Sequence, residues 1–212
     1  MSTAAVILSA LGLASAAGTI FADKRKQYGL VYVLKPLTMG FIIALALSGP
    51  RVVPSLYKNL ILAGLVCSLA GDVFMMLRRK RFTAGLACFL VAHLCYGAAF
   101  LTRFSGPVNF GLLLPFLIYL AFVLRVLWTR LGRMKAPVVL YMFVIMAMAV
   151  LASQRYNHLP EVGALYALLG SLLFVVSDSF LAANRFVREF RYAQVFILGT
   201  YFAAQWLLAL SA

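Results

Sequence analysis

Acidic side chains are scarce in this sequence: there are 5 Asp and Glu in 212 residues, and charged residues of either sign make up only 11%. A soluble domain carries about 25% charged residues, so an ordinary soluble fold is excluded. Cysteine is rarer still. Cys67, Cys88 and Cys95 all fall inside apolar stretches, which offers neither a disulfide framework nor a CxxC metal signature, and they read as small core residues. The only histidines are His93 and His158, the second in a loop before Pro160, so a three-histidine zinc site cannot be assembled. A Gly-x-Ser-x-Gly turn for a serine nucleophile is missing, as is the clustered acidic motif of a metal-dependent phosphotransferase. No metal and no other cofactor is expected.

What the sequence has is apolar length. It is 65% hydrophobic with a mean hydropathy of +1.00, and since a spanning helix needs about 20 mostly apolar residues, the chain has room for about eight. Apolar runs between charges and Gly/Pro punctuation place helices over 4–21, 30–49, 58–77, 84–102, 109–126, 137–153, 162–182 and 192–210. The expected fold is an all-α integral membrane protein, with residues 1–212 forming one transmembrane helical bundle. The first apolar stretch has no positive charge before it, so it reads as a retained helix rather than a cleaved signal.

The 19 Lys and Arg leave a net charge of +14, which in a soluble protein would suggest nucleic acid. Here the basic residues sit in short runs between apolar segments, a sign of topology, and no nucleic-acid partner is expected. Lys24, Arg25 and Lys26 follow helix 1; Arg78, Arg79, Lys80 and Arg81 follow helix 3; Arg125, Arg130, Arg133 and Lys135 surround the end of helix 5; Arg185, Arg188 and Arg191 follow helix 7. The opposite side has Arg51, Lys58, Arg103 and Arg155. This asymmetry predicts that the odd-numbered connections are cytoplasmic and that both termini are not. A bacterial inner membrane is the expected location from the compact chain and uninterrupted topology, with an internal eukaryotic membrane as the alternative.

The chain also echoes itself. Gly71-Asp72-Val73-Phe74 near the end of helix 3 is similar to Ser177-Asp178-Ser179-Phe180 near the end of helix 7, and each precedes an Arg-Phe pair, Arg81-Phe82 and Arg185-Phe186. Tyr96-Gly97-Ala98-Ala99 is matched by Tyr201-Phe202-Ala203-Ala204. Two parallel four-helix repeats would produce this pattern; so would chance among apolar helices.

Asp23, Glu161 and Glu189 fall in or beside loops, where solvation is cheap, but Asp72 and Asp178 do not. An Asp within a membrane helix costs about 2.5 to 3.5 kcal/mol even on insertion scales, so it normally faces the bundle interior and is paired or functional. The same holds for Lys35 and His93. At 1.5 Å per residue, Lys35, Asp72 and Asp178 lie about 7 Å from the cytoplasmic end and His93 about 14 Å. Tyr201 and Gln205, at i and i+4, can present phenol and amide on one face and reach the same layer or slightly deeper. Each has a plainer reading: Lys35 can snorkel, the acids can be structural ion-pair partners, and His93, Tyr96, Tyr201 and Gln205 can be interhelical hydrogen bonders. Ser68 and Ser177 read as partners of backbone or carboxylate.

Two carboxyl groups sharing an apolar site divide their roles, one holding a proton while the other is ionised. That pair can protonate a substrate and stabilise an oxocarbenium ion.

Lys35-Pro36-Leu37, Gly71-Asp72, Ala92-His93-Leu94-Cys95-Tyr96, Ser177-Asp178 and Tyr201-Phe202-Ala203-Ala204-Gln205, in this order and spacing, resemble the YhhN-like lysoplasmalogenase family of eight-helix membrane proteins. The resemblance runs from about Lys35 to Gln205. It implies hydrolysis of the vinyl ether bond of lysoplasmalogens to a fatty aldehyde and a glycerophospho-alcohol such as glycerophosphocholine or glycerophosphoethanolamine. On that reading Asp72 or Asp178 delivers the proton and the other carboxylate stabilises positive charge. His93 stands with the two acids as a catalytic group and, with Tyr96, Ser177, Tyr201 and Gln205, positions substrate and network, and Lys35 holds the lipid phosphate or tunes an aspartate. The implied partners are a lysophospholipid substrate and membrane lipid, with no obligate protein partner. A proton-coupled transporter using the same buried Asp, Lys and His residues is the rival, and a noncatalytic lipid-binding protein the third reading.

Overall fold

The computed structural model describes residues 3–49, 54–77, 81–103 and 106–212. Its helices follow the apolar runs: α1 Thr3–Lys24, α2 Tyr28–Ser48, α3 Ser55–Met76, α4 Phe82–Leu101, α5 Leu113–Leu127, α6 Lys135–His158, α7 Val162–Ala182 and α8 Ala193–Leu210. Among the described residues there is no strand. With the 3₁₀ turns that lead into α5 and α6 and the wide π turn Ala183–Val187 that extends α7, all eight are long and apolar enough to cross a membrane. Of the basic residues in the charge asymmetry, Arg51, Arg78, Arg79 and Lys80 lie outside the described residues.

Consecutive helices pair as hairpins, α1 with α2, α3 with α4 and α7 with α8; α6 lies across α4 and α7, and α8 touches α1, α2 and α3. The α1–α2 turn closes with Lys26 at φ 58°, the Gln27 N–H bonded to the Ala22 carbonyl and the Lys26 N–H to that of Asp23, both at 2.9 Å. These two bonds make a Schellman-type helix end with Lys in the position glycine usually takes. Close approach of α3 and α4 depends on small residues: a Cβ on Gly64 would sit 2.3 Å from the Tyr96 ring, and one on Gly71 would sit 2.8 Å from the Phe89 ring.

Helix α6 runs past the expected end at 153, because Arg155 is not solvated there. It is buried at 1% exposure, with Nη2 3.0 Å from Glu161 Oε1 and Nη1 donating to the Tyr57 hydroxyl. Those partners let an arginine stay inside the helix. At the periphery, α5 buries only Leu120 and Leu127, and Leu114, Leu117, Ile118 and Phe122 are turned outward, as suits a helix facing lipid.

Candidate active site

Asp72 stands four residues before Met76, the last of α3, and Asp178 four residues before Ala182, the last of α7. Both are therefore about 6 Å in from a helix end, and the two ends belong to the same end of the bundle. A cavity of about 920 Å³ opens there, between the neighbouring ends of α1, α2, α3, α4, α7 and α8, and both carboxyls line it. Lys35, Ser177 and Tyr201 line it as well. So do Asp23 and Glu189, two acids that the sequence places in or beside loops and does not count among the site residues. Four of the five acids in a strongly basic chain thus face one cavity.

The two buried acids differ in their neighbours. Asp72, 2% exposed, has Lys35 Nζ 2.7 Å from Oδ1, and the Tyr201 hydroxyl donates to its Oδ2 at 2.6 Å. Pro36 follows Lys35 inside α2; proline lacks the N–H that would bond the Tyr32 carbonyl, so the helix is locally loosened beside the ion pair. Asp178 receives the Tyr141 hydroxyl on Oδ2, and among the described residues no ion pair reaches it. Asp72 sits in the surroundings of an anion, Asp178 in those of a neutral or singly supported carboxyl.

A second layer lies behind Tyr201. The Tyr96 hydroxyl donates to Gln205 Oε1 at 2.8 Å, with Ser68 Oγ 3.4 Å from the same hydroxyl. Phe174 is the hub of the surrounding rings, 5.6 Å from Tyr201 and 4.5 Å from His93 in centroid distance, both edge to face. Tyr96, Gln205 and His93 are wholly buried and do not line the cavity. For His93 this departs from the expectation of a catalytic group. Phe89, His93 and Tyr96 share the core face of α4, so the imidazole points at Phe174 and at Tyr141, 5.2 Å away, one ring behind Asp178. Ser177 spends its hydroxyl on the Ile197 carbonyl at 2.9 Å, pinning α7 to α8.

Tyr141 was not among the residues singled out from sequence. Its signal was depth: it stands six residues after Lys135, the first residue of α6, about 9 Å from the end at which the cavity opens.

The model of the YhhN family matches residues 30–212. The chain belongs to the YhhN family. It is 30% identical over 180 residues to the Escherichia coli O157:H7 protein named uncharacterized membrane protein YhhN, covering 85% of this chain and 86% of that one. It is 38% identical over 160 residues to human lysoplasmalogenase TMEM86B, covering 74% of this chain and 64% of the relative. Against bovine lysoplasmalogenase TMEM86A it is 35% identical over 160 residues, covering 72% and 64%. The chain therefore spans just under two thirds of the length of these two mammalian proteins. No solved structure matches it. Eight apolar helices and this membership make it an integral, multi-pass membrane protein.

Proposed function

We propose that this YhhN-family protein hydrolyses the vinyl ether bond of lysoplasmalogens, releasing a fatty aldehyde and a glycerophospho-alcohol. The observation that carries the reading is the pair of unlike carboxyls on one cavity, Asp72 ion-paired to Lys35 and Asp178 held, among the described residues, by a phenol alone. The names of the mammalian relatives supply the substrate class.

A vinyl ether is cleaved by protonating its β carbon. Asp178 gives the proton from its carboxyl; the C=C pair forms the new C–H bond, and a lone pair of the ether oxygen makes the oxocarbenium ion. Asp72 stays a carboxylate through Lys35 and Tyr201, and its negative charge favours that cation over the neutral substrate. Water adds to the cation and loses a proton to Asp178, restoring the acid. The hemiacetal then breaks its C–O bond as Asp178 protonates the glycerol oxygen and takes back the proton of the hemiacetal hydroxyl, and aldehyde and alcohol leave. No covalent nucleophile is required. The Tyr141 hydroxyl orients Asp178 by occupying Oδ2, which leaves Oδ1 to carry the proton.

The mouth fits a zwitterionic headgroup. Asp23 and Glu189, with the rings of Tyr28 and Tyr32, would face an ammonium, and Arg185 a phosphate. The basic connections around the cavity favour a cytoplasmic opening, in a bacterial inner membrane. A transporter gains no comparable support: the relatives with a named activity are lysoplasmalogenases, and the far end of the bundle is tied by the Arg155–Glu161 and Tyr57–Ser211 contacts.

The test is aldehyde release by purified protein from a lysoplasmalogen and from an ester-linked lysophospholipid of equal chain length, with Asp72→Asn and Asp178→Asn in parallel. Turnover confined to the vinyl ether and lost in a variant that still folds is expected. Full aldehyde release from both folded variants refutes the acid-base assignment, and silence of the wild type on both lipids across pH values and headgroups refutes the activity.

A further inference from the structure

Asp178 stands at the boundary of two cavities. Beside the large polar one lies a small slot of about 50 Å³ between α5, α6 and α7, walled by Val123 of α5, Val138, Met142 and Ile145 of α6 and Val175 of α7. Four residues belong to both linings: Phe82, Asp178, Leu181 and Phe186. Phe82 and Phe186 meet edge to face at 6.3 Å, and the Arg185 guanidinium lies 3.7 Å above the Phe82 ring, so the partition is made of rings rather than backbone. The polar groups of the slot are already bonded to one another, Tyr119 to Ser179 at 2.7 Å and Tyr141 to Asp178. What the slot offers a ligand is apolar surface.

We infer that the slot takes the hydrocarbon chain of the substrate, so that the lipid lies with its headgroup in the polar cavity, its reacting bond at Asp178 and its chain leaving the bundle beneath α5. This rests on the lysoplasmalogenase reading and adds to it a chain subsite and an exit. Three observations carry it. The slot and the headgroup cavity share the Asp178 carboxyl in their walls, and a carboxyl is where the polar-to-apolar junction of a lysoplasmalogen must sit. Apart from that carboxyl at its edge and the hydroxyls already paired, the lining of the slot is apolar and matches a hydrocarbon. Its outer wall is the least embedded helix in the protein, with Leu117, Ile118 and Phe122 facing outward, so a chain passing α5 continues among lipid tails without losing apolar contact.

The size of the slot makes the inference specific. About 50 Å³ holds about two water-sized groups, so only the first carbons beyond the vinyl ether are gripped and the rest lie in the bilayer. Selectivity should therefore respond to bulk close to the reacting bond and hardly at all to total chain length. Val123 and Ile145, on opposite walls, are the specificity-determining positions.

The experiment uses the full chain in detergent micelles with a saturated alkyl ether lysophosphocholine, which cannot be hydrolysed, carrying a diazirine on the third chain carbon. After irradiation the adducts are mapped by peptide mass spectrometry. Saturable labelling of α5 and α6 around Val123, Met142 and Ile145 is expected, reduced at least fivefold in Val123→Trp and in Ile145→Trp. In kinetic assays Ile145→Ala should raise kcat/KM for a substrate methyl-branched at that third carbon relative to its linear counterpart by at least tenfold. Labelling confined to the polar cavity, or spread over the lipid-facing surface, overturns the chain site, and the wild-type map alone decides this even where a tryptophan variant misfolds. If the slot is labelled while the wild type releases no aldehyde, the lysoplasmalogenase reading fails and the chain site stands.

Discussion

Lys35 and Asp72 form an ion pair whose members are unequally trapped, and this inequality can be measured. Asp72 is 2% exposed in its side chain and Lys35 14%. Lys35→Met removes the cation from Oδ1 and leaves an anion with only the Tyr201 hydroxyl for support. Breaking a buried pair in this way costs about 3 to 5 kcal/mol, because the stranded charge stays buried. With Tyr201 still donating, the lower end applies, and about 3 kcal/mol corresponds to a fall of about 6 to 12 °C in Tm for a chain of this size. Asp72→Asn does the opposite. It strands Lys35, whose flexible stem reaches the cavity and lets the ammonium turn toward water or Asp23, so the cost is about 1 kcal/mol.

Activity should follow the reverse order. Asp72→Asn removes the charge that stabilises the oxocarbenium ion, worth about 100-fold or more in kcat, whereas Lys35→Met keeps the carboxyl in place and retains measurable turnover at temperatures where it is folded. The assay is a melting curve in detergent paired with aldehyde release, both on Lys35→Met, Asp72→Asn and the double variant, which should regain most of the stability lost by Lys35→Met and none of the activity lost by Asp72→Asn. Equal melting losses for the two single variants would refute the burial argument. An active double variant would show that Asp72 serves only the fold.

Gly64→Ala places a methyl 2.3 Å from the Tyr96 ring; the displaced phenol loses Gln205, and overpacking of about 1 to 3 kcal/mol should appear as a lower Tm, reversed in part by Gly64→Ala with Tyr96→Leu. Asp23→Asn combined with Glu189→Gln should raise KM for choline and ethanolamine lysoplasmalogens with little change in kcat, as saturation kinetics on both headgroups would show. Arg155→Met leaves Glu161 with the more distant Arg103, 3.4 Å away, and should lower the Tm while kcat and KM of the surviving folded protein stay at wild-type values, because Arg155 lies at the far end of the bundle from the cavity. Tyr141→Phe removes the hydrogen bond that orients Asp178 and should lower kcat by about tenfold with KM unchanged, a loss of orientation rather than of binding.

The eight helices were legible because a bilayer demands length, and length is plain in apolar runs bounded by charge and proline. The layer of the site was legible for the same reason: counting residues puts Lys35 and Asp72 at one depth, and they meet at ion-pair distance, with Tyr201 from the same half of the bilayer on the other carboxyl oxygen. Azimuth was not legible. His93 belongs to the same half but lies on the α4 face that meets Phe174, and a helix with apolar residues all round does not announce which side faces a cavity. Tyr141 escaped for a related reason, since a tyrosine near a helix end reads equally well as a residue of the membrane interface. Asp23 and Glu189 needed the tertiary fold: only when the α1–α2 turn and the α7–α8 connection come together do two surface acids become the rim of a cavity.

The echo between Gly71-Asp72 and Ser177-Asp178 acquires a chemical meaning from what surrounds each acid. The two carboxyls come from equivalent places, four residues from the ends of α3 and α7, and they reach the same cavity. Two identical acids in identical surroundings would share one proton with nothing to decide which of them holds it. Here α2 brings Lys35 to one of them and α6 brings Tyr141 to the other, so a near-symmetric placement carries unsymmetric neighbours. That difference is what acid-catalysed vinyl ether cleavage needs, since one group must surrender a proton to carbon while the other must remain charged to meet the cation that forms. On this view exchanging the neighbours matters more than exchanging the acids. Lys35→Tyr with Tyr141→Lys should transfer the proton-donating role from Asp178 to Asp72, so that in this background Asp178→Asn becomes the milder of the two Asp→Asn changes in the aldehyde assay. If instead Asp178→Asn stays the more damaging, the asymmetry resides in the position of the acids about the substrate and not in their partners.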